Sequence, residues 1–579
     1  MATRKQSART KGAAAPAAAP RRQISWVPAA ILSAAVLILV LIVYAPAMRG
    51  PFLFDDNALP FALPNFDAPL SVWIRGVRPL LMVTYWFNAR LSGTDTYSYH
   101  LLNLFFHCLS GGLIFLIVRR FTEWAGVDPP RRSLLSGFAA LVFLLHPVQT
   151  EVVAYLAGRS DGLSVLLVLA AYAVFLYRAK SAVSWATAAV IFLLFGASLL
   201  AKEHTIVLPA LLLLTDYWWN RGFSFEGIVR NWKLYVPLVV AAVGGAAFFL
   251  PLLLHSGTAG FGLKDLTWYQ YFFTECRAIF VYPLLFLFPV HQSADWNFSM
   301  SKTIADHGAV FGLIALLALS ALAWRYRRTF RLASFGFFSF LLLMAPTSSF
   351  LPIRDAVAER RLYLSMLGLL LIAVDLLGRI KIDQKVLAAA CLVVILLLAG
   401  GTYARAGVWS SELALWEDTV KASPENPRAH FQLASAYYNS GRCDMASTEY
   451  QKTQELWGPR YDLFVDWALA YDCLNQPDAA LGKLRQAAAL DPTAHVYSQI
   501  GMIYGKRAQW AQAMDALATA EKLDPNFAAT YAYKGLVHFS LNQPEAAIQD
   551  YQRALAIDSK FQPAREGLAQ AQARLLARH

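Results

Sequence analysis

A run of apolar residues from Val27 to Met48 constrains this chain more than any other feature. It supplies the roughly twenty residues needed to cross the hydrocarbon layer of a bilayer, and it is followed by many more of the same kind. Hydrophobic residues make up 57% of the 579, and mean hydropathy is +0.42. A chain of that kind is a polytopic membrane protein, and inside lipid its backbone polar groups must be satisfied within helices. Apolar residues are concentrated before Trp409; beyond it Gln, Asp, Glu and Ala dominate and no stretch is long enough to span. The expected fold class is therefore all-α, with three parts. Residues 1–23 form a disordered basic tail, 24–408 a multispan membrane domain, and 409–579 a polar helical domain.

The net charge of +13 invites a nucleic-acid reading, but its most concentrated part is Arg4, Lys5, Arg9, Lys11, Arg21 and Arg22, just ahead of the first span. A basic segment in that place marks a cytoplasmic amino terminus held against anionic lipid. No nucleic-acid partner is expected. Ile24–Met48 lacks a small-residue cleavage pattern and reads as an uncleaved anchor.

Spans are expected near 27–48, 97–118, 133–150, 160–178, 183–201, 204–219, 232–254, 308–324, 331–350, 361–379 and 386–405, eleven in all. Lys and Arg placement agrees with that topology: Arg119, Arg120, Arg131, Arg132, then Arg178 and Lys180, then Arg221, Arg230 and Lys233, then Arg325, Arg327, Arg328 and Arg331, then Arg379, Lys381 and Lys385 all fall in inner loops. The apolar stretch Tyr271–Val290 would invert the later clusters if it crossed, so it is expected to re-enter or lie on the surface. An odd number of crossings places the carboxyl-terminal domain outside.

Ionisable residues recur on the outer side at the ends of several spans: Asp55 and Asp56; Arg78; His146 and Glu151; Arg159 and Asp161; Lys202 and Glu203; Glu359, Arg360 and Arg361. Charges of both signs at one depth are costly unless they share a polar cavity. Such a cavity suits sugar transfer. A carboxylate takes the proton of an attacking hydroxyl, and cations meet the charge of a leaving phosphate. Asp55 is the expected base and Asp56 its orienting partner. Arg159, Lys202, Arg360 and Arg361 are the expected phosphate ligands, supported by Arg78, His146, Glu151, Asp161, Glu203, Glu359 and Tyr363. A divalent metal, Mg or Mn, held by Asp55 and Asp56 is left open, because no diagnostic ligand spacing occurs.

From Pro424 the chain repeats. Pro424, Pro459, Pro492 and Pro525 lie 35, 33 and 33 residues apart, the period of tetratricopeptide (TPR) repeats. Small residues fall in register at Ala434, Ala468, Gly501 and Gly535, and again at Ala446, Ala480, Ala513 and Ala547. Four repeats with a capping helix over Phe561–Arg578 are expected, forming a solenoid whose groove takes a polypeptide. Cys443 and Cys473 fall at loop ends of the first two repeats, where a disulfide is open to them on the exported side.

In order, Arg78-Pro79-Leu80, Tyr99-His100-Leu101-Leu102-Asn103-Leu104 with His107, His146-Pro147 to Glu151, Gly158-Arg159-Ser160-Asp161, Ala201-Lys202-Glu203, and Ala358-Glu359-Arg360 with Leu362-Tyr363-Leu364 resemble the transmembrane-and-TPR protein O-mannosyltransferases of the GT-C superfamily. The resemblance covers nearly the whole chain. It implies a GT-C membrane core, a polyprenyl-phosphate-linked sugar donor, transfer to Ser or Thr of exported proteins, and Asp55-Asp56 as the catalytic centre. The chain departs from the pattern in its short solenoid and in Gln149, where the family pattern has His. Short loops and Ala/Leu-rich spans suggest a bacterial inner membrane with a periplasmic solenoid. The reading from another class is a non-enzymatic anchored scaffold that recruits envelope proteins.

Overall fold

The computed structural model describes residues 27–60, 66–220, 222–255 and 260–577. The basic tail, Arg221 and the last residue of the expected capping helix lie outside the described residues. Helices account for the described regular structure, with no strand element among them. Each of the eleven expected spans coincides with a helix. Among the described residues, six helices are long and apolar enough to cross a membrane: Ala30–Ala47, Tyr97–Trp124, Leu156–Leu176, Asp306–Arg325, Glu359–Arg379 and Gln384–Val408. Pro129–Leu145 with Pro147–Ala154 makes a seventh if counted as one span bent by 51°. Trp232–His255 runs for 24 residues, while Trp185–Leu199 and Arg331–Met344 are shorter apolar helices. At 1.5 Å per residue, a helix of about fifteen residues reaches about 22 Å, short of a hydrocarbon layer of about 30 Å. Tyr271–Val290 is divided between two short helices, Trp268–Ala278 and Val281–Leu287.

Close packing inside the bundle depends on small residues. Gly336 and Gly368 face each other where Arg331–Met344 crosses Leu362–Arg379, and a Cβ on Gly336 would lie 2.6 Å from the Gly368 carbonyl oxygen. Lipid tails are as apolar as Leu, so helices in a bilayer gain from backbone approach of this kind.

The carboxyl-terminal domain is four helix pairs. They are Pro427–Asn439 with Cys443–Trp457, Tyr461–Cys473 with Pro477–Leu490, Ala494–Lys506 with Trp510–Leu523, and Ala528–Ser540 with Pro544–Ile557; Gln562–Leu576 closes the stack. Pro427, Pro477 and Pro544 occupy first helical turns, where a missing N–H costs nothing. The eight small residues in register are buried between paired helices.

Cys443 and Cys473 form a disulfide, with Cα atoms 6.2 Å apart. It closes a 30-residue separation, and a loop of that length is worth ~2–4 kcal/mol through the unfolded chain. Cys443→Ser with Cys473→Ser is therefore expected to lower the solenoid's unfolding free energy by about that amount. Thermal or denaturant unfolding, with and without reductant, measures the loss; equal stability of oxidised and reduced protein would contradict it.

Candidate functional site

Helix breaks at one end of the bundle build the site. After Val27–Tyr44 the chain turns through a 3-10 element, Phe54–Ala58, that carries both carboxylates. Pro147 interrupts the next wall: without an N–H it cannot continue Pro129–Leu145, and the chain bends into Thr150–Ala154 before Arg159–Leu176 begins. Lys202 and Glu203 lie between Trp185–Leu199 and Leu208–Trp219, and Glu359–Arg361 turns into Leu362–Arg379.

The two adjacent carboxylates have opposite environments. Asp56 is 1% exposed; its oxygens accept the backbone N–H groups of Leu53 at 3.0 Å and Ala157 at 2.7 Å. It pins the loop to the 156–158 turn. Asp55 is exposed. Its backbone N–H donates to the Tyr155 hydroxyl at 2.9 Å, while its carboxylate makes no side-chain hydrogen bond or ion pair among the described residues. Phe54, just before it, sits at φ +49°. A bulky residue in the left-handed region is held there by its surroundings, and such strain clusters at functional sites.

Burial lifts the Asp56 carboxyl to about 7, with its backbone N–H donors pulling the other way. Because the folded value lies above the ordinary 3.8, the stability this group contributes is complete below about pH 4 and is lost as pH rises through about 7. Amide exchange over residues 53–58, corrected for intrinsic rates, is expected to show more protection at about pH 5 than at about pH 8. Asp56→Asn should remove that dependence; a slope unchanged in the variant would assign it elsewhere.

Three ion pairs stand beside this loop. Lys202 Nζ is 2.5 Å from Asp161 Oδ2. Arg360 donates to Glu151 twice, from Nη1 at 2.5 Å and from its backbone at 2.8 Å. Arg78 forks onto Glu203 at 2.9 and 2.8 Å. They form one cluster, since Lys202 lies within electrostatic reach of Asp161, Arg360 and Arg78 together. Tyr155 feels Asp55, Asp56 and Arg360 and so joins the cluster to the acidic loop. Each cation keeps part of its side chain in solvent: 36% for Arg78, 18% for Lys202 and 27% for Arg360.

Other expected ligands are placed differently. Arg159 is 0% exposed. Its Nε reaches Asn103 Oδ1 at 2.7 Å, Nη1 reaches Asn88 Oδ1 at 2.7 Å and Thr84 Oγ1 at 3.3 Å, and Nη2 donates to the Tyr99 carbonyl at 2.9 Å. Its guanidinium also lies over the Tyr85 ring at 4.4 Å. Four of the five N–H donors are thus taken within the protein, so Arg159 braces three helices. Arg361 is likewise enclosed, donating to the Ala356 carbonyl and the Tyr271 hydroxyl beside Glu275. Tyr363 pairs with His107 at 2.9 Å, and His146 bonds the Phe286 carbonyl at 3.0 Å while stacking on its ring. Glu359 is 2% exposed and turns toward Gln292, Ser293 and Trp296.

Sequence reasoning passed over Tyr155 and the 292–296 loop. Nothing distinguished this tyrosine among 25. Asn88 and Asn103 carried a usable signal, since an amide on an apolar helix needs a partner.

The donor set does not build a metal site: Asp56 is spent on backbone amides, and no group of three or more His, Cys, Asp or Glu is placed to hold an ion among the described residues.

A tetratricopeptide-repeat family model matches residues 528–561, the fourth helix pair. Protein O-mannosyl-transferase F38B6.6 of Caenorhabditis elegans is 24% identical over 451 residues, 73% of this chain and 62% of that protein. Protein O-mannosyl-transferase TMTC4 of Homo sapiens is 26% identical over 488 residues, covering 71% and 64%. The chain is thus similar in sequence to proteins named TMTC protein O-mannosyl-transferases. TMTC3 of Mus musculus aligns over 84% of this chain at 24% identity, with 57% of its own length covered. The chain spans about three-fifths of the length of these curated relatives. They are animal proteins and lend no support to the bacterial location expected above. Among solved structures, the TPR protein YrrB matches with TM-score 0.23 and 20% identity, covering 30% of this chain and 86% of that one.

Proposed function

We propose that this chain is a GT-C-type membrane glycosyltransferase that moves mannose or a similar sugar from a polyprenyl-phosphate-linked donor to Ser or Thr hydroxyls of exported proteins. The observation that carries the reading is the contrast within one loop: Asp56 is locked into the backbone, and Asp55 is presented unpaired on a loop braced internally at Leu53 and fixed to Tyr155 and Ala157. A general base needs that arrangement, because proton transfer is efficient only when the carboxylate is held within hydrogen-bond reach of the hydroxyl.

In the proposed step the acceptor hydroxyl approaches Asp55, its oxygen bonds to the sugar's anomeric carbon, and its proton passes to the carboxylate. The bond from the anomeric carbon to the phosphate oxygen breaks, and the prenyl phosphate leaves with the electron pair. Arg78, Lys202 and Arg360 are placed to meet that charge. The Arg forks match phosphate oxygens in pairs, and Lys acts as a point charge. Glu203, Asp161 and Glu151 orient the three cations in the absence of phosphate and keep the cluster from self-repulsion. The repeats fit a polypeptide acceptor or partner. The Cys443–Cys473 bridge supports an oxidising, extracytoplasmic side for them.

Transfer of labelled mannose from polyprenyl-phosphate mannose to a Ser/Thr-rich peptide by the purified chain tests the reading, with Asp55→Asn as comparison. Equal transfer by the variant would leave an anchored repeat scaffold. At the phosphate site, Arg360→Gln is expected to weaken polyprenyl-phosphate binding by roughly tenfold to a hundredfold, since a charge-assisted hydrogen bond is worth about 1.5–3 kcal/mol. Unchanged binding would move the phosphate away from this cluster.

A further inference from the structure

The repeat domain is joined to the acidic loop by more than the chain. Helix Gln384–Val408 ends at Trp409, and a short turn with Ser411 extended leads into Glu412–Ala422, the helix that precedes the first repeat. Trp409 stacks on Tyr155 with centroids 5.5 Å apart. Trp416, 1% exposed, places its ring 5.5 Å from that of Phe54 at 78°. Leu53, Tyr155, Trp409, Trp416 and Leu433 share one apolar core, which continues into the repeats.

A second connection runs on the other side. Arg428, at the start of the first repeat, bonds Asp295 through both Nε (2.6 Å) and Nη2, and reaches Asp355 at 2.9 Å. Asn426 donates to the Asp295 carbonyl at 3.0 Å. The loop that carries Asp295 also fixes Glu359, through Gln292 Nε2 at 2.6 Å, the Ser293 N–H at 2.7 Å and Trp296 Nε1 at 3.2 Å. Glu359 immediately precedes Arg360, the cation paired with Glu151.

We propose that the segment opening the repeat domain is a positioning element for the chemistry: Trp416, by clamping Phe54, sets the direction of the Asp55 carboxylate, and Arg428, through Asp295 and the 292–296 loop, sets Arg360. The inference rests on the reading of Asp55 as base and Arg360 as phosphate ligand. Its physical basis is the left-handed φ of Phe54. That conformation is a narrow, costly well for an aromatic residue. Released from Trp416, the residue relaxes toward a φ of about −60°, which rotates the adjoining backbone and takes the Asp55 N–H off the Tyr155 hydroxyl. An arm that only captured acceptors would not need to grip this residue.

Full-length protein with polyprenyl-phosphate mannose and a short Ser/Thr peptide, too small to fill a solenoid groove, tests the coupling. Trp416→Ala is expected to lower kcat by roughly tenfold to a hundredfold, the scale of a small misplacement of a catalytic group. KM for the peptide, and polyprenyl-phosphate binding read by native mass spectrometry, should stay within about twofold. Trp416→Phe, which keeps an aromatic edge for Phe54, should recover most of kcat, whereas Arg428→Gln, which releases Arg360, should weaken polyprenyl-phosphate binding, and unchanged binding in that variant would overturn the Arg428 arm of the coupling. Amide exchange supplies a readout independent of turnover: the Asp55 amide should lose protection in Trp416→Ala while amides of Ala528–Ser540 keep theirs, which also reports that the repeats remain folded. Unchanged exchange at residues 54–57, or a raised peptide KM with kcat intact, would overturn the coupling. Full activity in Asp55→Asn would instead overturn the proposed function, with the exchange result still deciding whether the clamp exists.

Discussion

Asp55→Asn is expected to reduce sugar transfer by roughly 10²- to 10⁴-fold, the range general-base catalysis contributes, with the protein still folded. The side chain is exposed and makes no side-chain bond among the described residues, so the amide takes its place with no packing loss. What disappears is the acceptor for the hydroxyl proton. Asp56→Asn behaves differently, because an amide nitrogen cannot accept the N–H of Leu53 or Ala157 as a carboxylate oxygen does. That variant should lose loop protection as well as activity. Transfer assays paired with amide exchange over residues 53–58 separate the two. An Asp55→Asn protein that lost loop protection and activity together would make both residues structural.

Replacing Arg159 should damage the fold of the membrane domain. Arg159→Met leaves Asn88 Oδ1 and Asn103 Oδ1 without their guanidinium donor and takes a second donor from the Tyr99 carbonyl, in a region closed to solvent. Each buried acceptor left unpaired costs about 1–3 kcal/mol, so a total of about 3–5 kcal/mol or more is expected. Arg159→Lys should recover little, since a point-charge ammonium cannot span three acceptors in a planar fork. Thermal unfolding in detergent or nanodiscs measures the effect. Selective loss of polyprenyl-phosphate binding with stability unchanged would restore Arg159 to the ligand set and contradict its bracing role.

The fates of the expected site residues differ for a physical reason. Linear spacing reveals that charges recur at helix ends, which singled out Lys202, Asp161, Arg360 and Glu151, but their pairing as Lys202–Asp161 and Arg360–Glu151 came only from the structure. Spacing does not reveal which way a side chain turns at a break. Arg159 and Arg360 both start helices on the same side of the bundle. One turns inward among the amides and tyrosines of neighbouring helices, and the other keeps a face in solvent. Arg78, read as support, turned out to share the exposed cluster. Span number was similarly constrained in part: the positions of helices followed from apolar runs, while their lengths depended on where breaks such as Pro147 and the 200–207 segment fell.

The sequence alone determined the all-α class, the membrane domain, the four repeats and the acidic loop, because hydropathy, a period of about 33 residues and local backbone chemistry are all properties of neighbours along the chain. Only the tertiary structure decided that Asp56 is buried and Asp55 presented, that Arg159 is enclosed among Asn88, Asn103 and Tyr99, and that the repeat domain grips Phe54 and Asp295. Those outcomes depend on contacts between residues 54 and 416 or 295 and 428, and no pattern within a window of neighbours encodes which distant surface a side chain will meet.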